Sequence, residues 1–338
     1  MIDRANIRRI PLFAVAILCW LILTGLARGQ IQQLPATAAG DEVITAPTVS
    51  LPEPELGLAP DLPLVSPSPA VDEHPEARDG VFQKLSLDGT WIPANGGAGL
   101  GFTDLALDTT LAVPCPTKEW PLLIVPAFAT HYVTTGAGVD LPPRLYDASI
   151  EFRWLPKVTD RLRLDISATP GVYRDFDVST DSGLRTTAYG AAIWDWTPQA
   201  KLVMGASYLE RRDWNFIPIG GLLWTPYEDL DLELLFPAPK VAHRVYCFGQ
   251  LDKVVQDWVY VAGEFADSNW AIQHSDGTRD QVAYRDVRVL LGMERKVIHG
   301  LGAKVEIGYV FSRKLVFYSG IPDVYPSGAL LLRGGLTY

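Results

Sequence analysis

The chain has 338 residues, a formal net charge of −10, and ten Trp, thirteen Tyr and twelve Phe beside abundant Gly and Pro. The negative charge disfavours nonspecific nucleic-acid binding, which needs a cationic face to release counterions. Aromatic and β-branched residues suit a pleated surface and Gly and Pro mark turns, so the composition leans to β structure.

The first 29 residues read as a secretory signal. Arg4, Arg8 and Arg9 precede an almost wholly apolar run from Pro11 to Leu26, and Ala27-Arg28-Gly29 supplies small residues at the cleavage positions. The run is short of the ~20 residues that a membrane anchor needs. A lipoprotein reading through Cys19 is disfavoured, because Leu18 fills a position that should be small.

Residues 30–78 read as a disordered linker. They are rich in Pro and acidic residues, as in Leu51-Pro52-Glu53-Pro54-Glu55, and hold no Lys or Arg between Gln30 and Ala77. Such a segment buries too little apolar surface to offset its ordering entropy.

From residue 79 to Tyr338 alternating segments recur between Gly, Pro, Asp and Asn. Leu105, Leu107, Leu111 and Val113 oppose Asp104, Ala106 and Asp108, and Ile150, Phe152 and Trp154 oppose Glu151 and Arg153. Arg161, Arg163 and Asp165 alternate with leucines, as do Asp229, Asp231 and Glu233. The pattern recurs at Asp286 and Arg288 and at Lys304 and Glu306. Strict alternation marks strands with two different faces. A soluble periplasmic β-sandwich would alternate too. Strand length, Trp near strand ends (Trp91, Trp154, Trp194, Trp196, Trp258, Trp270) and export favour a membrane barrel. The expected fold is all-β, an antiparallel transmembrane β-barrel of about twelve strands, since single-chain bacterial barrels favour even numbers.

The polar faces make Glu151, Arg153, Arg161, Arg163, Asp165, Asp229, Asp231, Glu233, Asp286, Arg288, Lys304 and Glu306 the expected lumen-lining residues. Both signs occur, which fits either a water-filled pore or salt bridges that fill the barrel. The last strand, Ala329 to Tyr338, puts Leu330, Leu332, Leu336 and Tyr338 on one face and Arg333 on the other. Leu332, Leu336 and Tyr338 resemble the C-terminal signal read by the barrel assembly machinery.

One stretch is more distinctive. Ile217-Pro-Ile-Gly-Gly-Leu-Leu-Trp-Thr-Pro226 runs into Asp229 to Leu235, then Phe236-Pro237-Ala238-Pro239-Lys240 and Val241 to Arg244. It resembles the core pattern of a family of uncharacterised outer-membrane β-barrel proteins of unknown function. The resemblance implies one barrel over roughly Val81 to Tyr338 and brings no catalytic residue.

The expected location is the outer membrane, with lipid and the assembly machinery as partners. The expected activity is passive diffusion or uptake of small solutes. A non-conducting structural or binding barrel is the alternative, and a barrel lipid hydrolase through His131 or His243 the remoter one. No Gly-x-Ser-x-Gly elbow or Cys/His zinc spacing is present, so no enzyme, cofactor or metal is expected. Cys115 and Cys247 read as isolated thiols, with a disulfide left open because sequence does not fix their geometry.

Overall fold

The computed structural model describes residues 78, 80–96, 99–117, 120–136, 138–176, 183–210, 215–249 and 254–338. The signal peptide and linker expected over 1–77 lie outside them. The strands are β1 (Phe82–Ile92), β2 (Gly101–Pro114), β3 (Pro121–Thr134), β4 (Arg144–Trp154), β5 (Lys157–Thr159), β6 (Leu162–Arg174), β7 (Leu184–Thr197) and β8 (Ala200–Tyr208). They continue with β9 (Phe216–Tyr227), β10 (Leu230–Phe236), β11 (Lys240–Phe248), β12 (Val255–Gln273), β13 (Arg279–Val297), β14 (Gly302–Phe317) and β15 (Ala329–Thr337).

Each strand pairs antiparallel with the next, except that β4 pairs with β6 while the short β5 hangs outside on the start of β6. The first and last strands meet from Ser86↔Thr337 to Trp91↔Leu332 and close the circle. The result is a closed barrel of fourteen strands with one extra strand outside. The expected twelve is corrected upward. The miscount has a physical source: β8, β10 and β11 are only nine, seven and nine residues long. The turns Pro198–Gln199 and Glu228–Asp229 are two residues each, so more strands fit into the same sequence.

Those tight turns lie at the end of the barrel where β1 begins and β15 finishes, here the termini end. The longer connections, 93–100, 135–143 and 318–328, lie at the opposite, loop end.

The outer wall is apolar from strand to strand. Leu105, Leu107, Ile150, Phe152, Val289, Leu291, Val305, Ile307, Leu330 and Leu332 all point outward and exposed. Trp91, Trp194, Trp196, Trp224 and Tyr227 stand outward near strand ends. A sheet without edges, apolar outside and ringed by aromatics, meets what hydrocarbon demands of a spanning structure. Trp258 and Trp270 correct the girdle reading, since both are buried on the inside.

Ile307 sits near the middle of the outer wall on β14. Ile307→Arg should cost about 2–4 kcal/mol if that face meets lipid. Refolding into lipid vesicles, followed by the gel mobility shift between folded and heat-unfolded protein, measures it. An unchanged midpoint would remove this wall from the bilayer.

Candidate functional site

The site is the interior. Arg153, Asp165, Asp231, Glu233, Asp286, Arg288, Lys304 and Glu306 are buried on the inward face of the wall, and Glu151 and Arg163 share that face with partial exposure. Arg161 and Asp229 do not line the lumen. Both are exposed in turns at the termini end, because the chain reverses there while the sequence still alternates.

The ionic groups pair along the inner wall, within one strand or between strands up to three apart. Arg333 of β15, whose side chain is 0% exposed, donates through Nη1 to Glu264 Oε1 at 2.9 Å and to Glu306 Oε2 at 2.9 Å, and through Nη2 to Glu264 Oε2 at 3.0 Å. Arg288 donates to Asp286 at 2.8 Å and Lys304 meets Asp88 at 2.9 Å. The Tyr260 hydroxyl donates to Glu306 Oε1 at 2.5 Å. Lys240 lies 4.2 Å from the Tyr260 ring centroid and 3.5 Å from Glu294. On the facing wall Arg153 Nε donates to Asp165 at 2.7 Å. Charges withdrawn from bulk water must be paired in this way.

Two glycines make room for this network. Gly335 stands beside both Asp88 and Lys304 in the ladders, and a Cβ there would overlap the Asp88 carboxylate. Gly292 is the ladder partner of Tyr260, and a Cβ there would enter the Tyr260 ring. The wall of β7 to β10 is different. Its inward face carries an apolar cluster of Tyr189, Ala191, Ile193, Val203, Ile219 and Leu235.

The far ends of β12 and β13 leave the wall, with the end of β14 still paired to β13 from Arg285↔Lys314 to Val282↔Phe317. Along the lower part of β12 buried and exposed residues alternate, but Ala266 to Ile272 are buried without a break, as are Val282 to Tyr284 on β13. Continuous burial means that both faces are covered. The far ends of β12 and β13 fold inward as a tongue and cross to the opposite wall. Trp270 Nε1 donates to Asp147 Oδ1 of β4 at 2.7 Å, and Arg185 of β7 donates to the Asn269 carbonyl at 2.7 Å and its side-chain oxygen at 2.9 Å. Ala271 forms a lone parallel bridge with Arg174 of β6. The Asp175 amide donates to the Ala271 carbonyl at 3.1 Å, and the Gln273 amide donates to Asp175 Oδ2 at 2.7 Å.

Part of the interior around the tongue is apolar. Phe102, Leu145, Tyr173, Ile272, Val282 and Tyr284 share one cluster with Trp270. At its tip Thr278 donates its amide and its hydroxyl to Asp276 Oδ1 at 2.8 and 2.6 Å, which holds that carboxyl below its ordinary range.

His131 of β3 is buried against the tongue. Its Nδ1 lies 2.8 Å from Asp104 Oδ1 and its Nε2 3.1 Å from Asp147 Oδ2, and its ring is 5.3 Å from that of Trp270. The imidazole is thus clasped between two carboxylates and helps to orient the Trp270 acceptor. His243 is exposed on β11, with Nδ1 2.8 Å from the Asp229 carbonyl. The two histidines are therefore on opposite sides of the wall. Cys115 and Cys247 are exposed free thiols. Among the described residues no group of three or more His, Cys, Asp or Glu could hold a metal ion.

Leu332, Leu336 and Tyr338 face outward, exposed, while Arg333 of the same strand faces in. Sequence reasoning missed Asp88, Glu264, Lys240 and Glu294 as partners of the ionic wall, and Asp104, Asp147 and Trp270 as partners of His131. The inward parity of Asp88 on β1 and of Glu264 on β12 was the available signal.

No family model matches the chain, and no curated protein matches it. Solved structures similar to it include the NanC porin (10% identity, TM-score 0.34, covering 75% of this chain and 98% of that one). LpxR from Salmonella typhimurium aligns at 11% identity and TM-score 0.36, over 75% of this chain and 99% of that one. OccK7 (OpdD) of Pseudomonas aeruginosa aligns at 9% identity and TM-score 0.29, over 75% and 97%. No residue role is carried over from them.

Proposed function

We propose that the chain is an outer-membrane channel for passive diffusion or uptake of small polar solutes, narrowed by the tongue of β12 and β13. The observation that carries this reading is a closed wall with an apolar outside and an inside lined by paired charges of both signs. A barrel that only had to be stable would gain from apolar filling, because a buried ion pair rarely outperforms a hydrophobic one. Charges on an inner wall keep water there, and their mixture of signs suits polar solutes with weak ion preference. The signal peptide would deliver the chain across the inner membrane, and the outward Leu332, Leu336 and Tyr338 would present it to the assembly machinery.

The test is conductance. Full-length folded protein in planar bilayers should give discrete steps that grow with salt concentration. Persistent silence from protein whose gel mobility proves it folded would overturn the channel and favour the second reading, a non-conducting binding or structural barrel. The deep burial of Asp88, Arg288 and Arg333 is the observation on the side of that second reading.

A further inference from the structure

The tongue is tied to the barrel unequally on its different sides. Between β12 and β13 the ladder is unbroken from Val255↔Val297 to Gln273↔Arg279. Toward β11 the ladder ends at Lys240↔Ala262, followed by one bond from the Gly263 amide to the Pro239 carbonyl. Beyond it, among the described residues, β12 has only the single bridge to β6. Toward β14 the register slips between Arg285 and Val287, where Ser312 adopts φ 52°, and the ladder then resumes from Arg285↔Lys314 to Val282↔Phe317, so the end of β14 belongs to the tongue. A bulge of this kind re-aims a strand and interrupts its ladder. Gly263, opposite Val289, and the bulge, opposite Ala266, therefore lie within three residues of each other along the β12–β13 ladder and mark a hinge line.

Across the lumen the tongue is held by point contacts, not by a ladder. They include the Trp270–Asp147 bond, the Arg185–Asn269 pair, the Asp175 bonds, the bonds of His274 and Ser275 to Asp140, and the one bridge. The tongue also carries a polar run, Asp267-Ser268-Asn269, and a polar tip from His274 to Asp280. Water can satisfy such polar groups as well as protein can, so the tongue is not committed to the interior by composition. Its apolar members, Trp270, Ile272, Val282 and Tyr284, set the cost of leaving and keep the resting position closed.

We infer that the tongue is a hinged gate, latched on β4, β6 and β7 through Asp147, Arg174, Asp175 and Arg185. The inference rests on the channel reading above and adds what opens and closes it.

A disulfide lock tests it. Ala271 and Arg174 are bridge partners, which places their Cα atoms about 5 Å apart, within disulfide range. The variant Ala271→Cys/Arg174→Cys is made in full-length protein with Cys115→Ser and Cys247→Ser. The reduced variant in planar bilayers should open in discrete steps, and its own opening frequency is the reference. Oxidation with copper–phenanthroline should cut opening frequency at least tenfold, and dithiothreitol should restore it. Trp270→Phe, which keeps an aromatic ring but removes the donor to Asp147, should raise the open fraction several-fold. Equal conductance with the bond formed and reduced, the bond being verified by mass spectrometry, overturns the gate.

A further variant separates this outcome from failure of the channel reading. Ala266 and Asp286 are direct ladder partners, so a two-residue Asn-Gly turn can join them in place of residues 267–285. If this folded barrel conducts while the parent never opens, the tongue is a fixed plug and the gate is overturned, but the channel stands. If neither conducts, the channel itself falls and the gate with it.

Discussion

Arg333→Ala should destabilise the barrel by about 3–5 kcal/mol, the cost of leaving a buried charge partner uncompensated. The guanidinium is enclosed and bonds both Glu264 and Glu306, with Thr90 3.3 Å from its Nε. Removing it leaves two carboxylates on the inner wall with weaker compensation: Arg288 Nη1 is 3.9 Å from Glu264 Oε2, and Tyr260 still donates to Glu306. Arg333→Lys should recover only part of the loss, since an ammonium cannot offer the forked geometry that holds both oxygens of Glu264. The triple variant Arg333→Met, Glu264→Gln, Glu306→Gln should recover most of it, because no uncompensated charge remains. The midpoint of urea unfolding in lipid vesicles measures all three. A single alanine variant as stable as its parent would mean that water reaches Glu264 and Glu306 freely.

Arg313→Ala should release the loop end. Arg313 is buried at the β14 bulge and donates to three groups on three segments: the Tyr284 hydroxyl at 2.7 Å, the Leu100 carbonyl at 2.8 Å and the Ser327 carbonyl at 3.2 Å. Each lost bond to a charged donor is worth about 1.5–3 kcal/mol, and two of these acceptors are backbone carbonyls in connections that lack ladders of their own. Limited proteolysis should cut 93–100 and 318–328 at least tenfold faster, while the wall keeps its heat-modifiable mobility. Arg313→Lys should not restore protection, since one ammonium cannot span three segments. Unchanged cleavage would show that the loops hold themselves.

Much of the wall was legible in the sequence because one rule governs it. Every spanning strand must show apolar atoms to lipid and turn the rest inward, so Asp286, Arg288, Lys304 and Glu306 fall on the inner face by parity alone. The rule failed at its boundaries. Arg161 and Asp229 continue the parity past the point where the chain turns. It also failed where strands leave the wall: alternation in Ala266 to Ile272 loses its meaning once both faces are covered. Trp258 and Trp270, placed in the girdle by nearness to strand ends, are interior for related reasons. Trp258 is on the inward parity of β12 and Trp270 is on the tongue. The clasp around His131 draws on β2, β3, β4 and β12, and only the register between strands far apart in sequence brings them together.

The seam between β1 and β15 governs the order of assembly. Ser86 must find Thr337, roughly 250 residues away, and closing so long a loop adds an entropic cost that grows only logarithmically with length. Cost is thus a minor obstacle, but timing is not. The neighbouring hairpins from β2 to β14 can pair locally in any order, whereas the circle joins only when the two most distant strands meet. Until then both edge strands offer unpaired amides and carbonyls to any other chain. The interval before that meeting is the aggregation-prone part of this protein's life, and a periplasmic holdase that covers β1 or β15 would act on it directly.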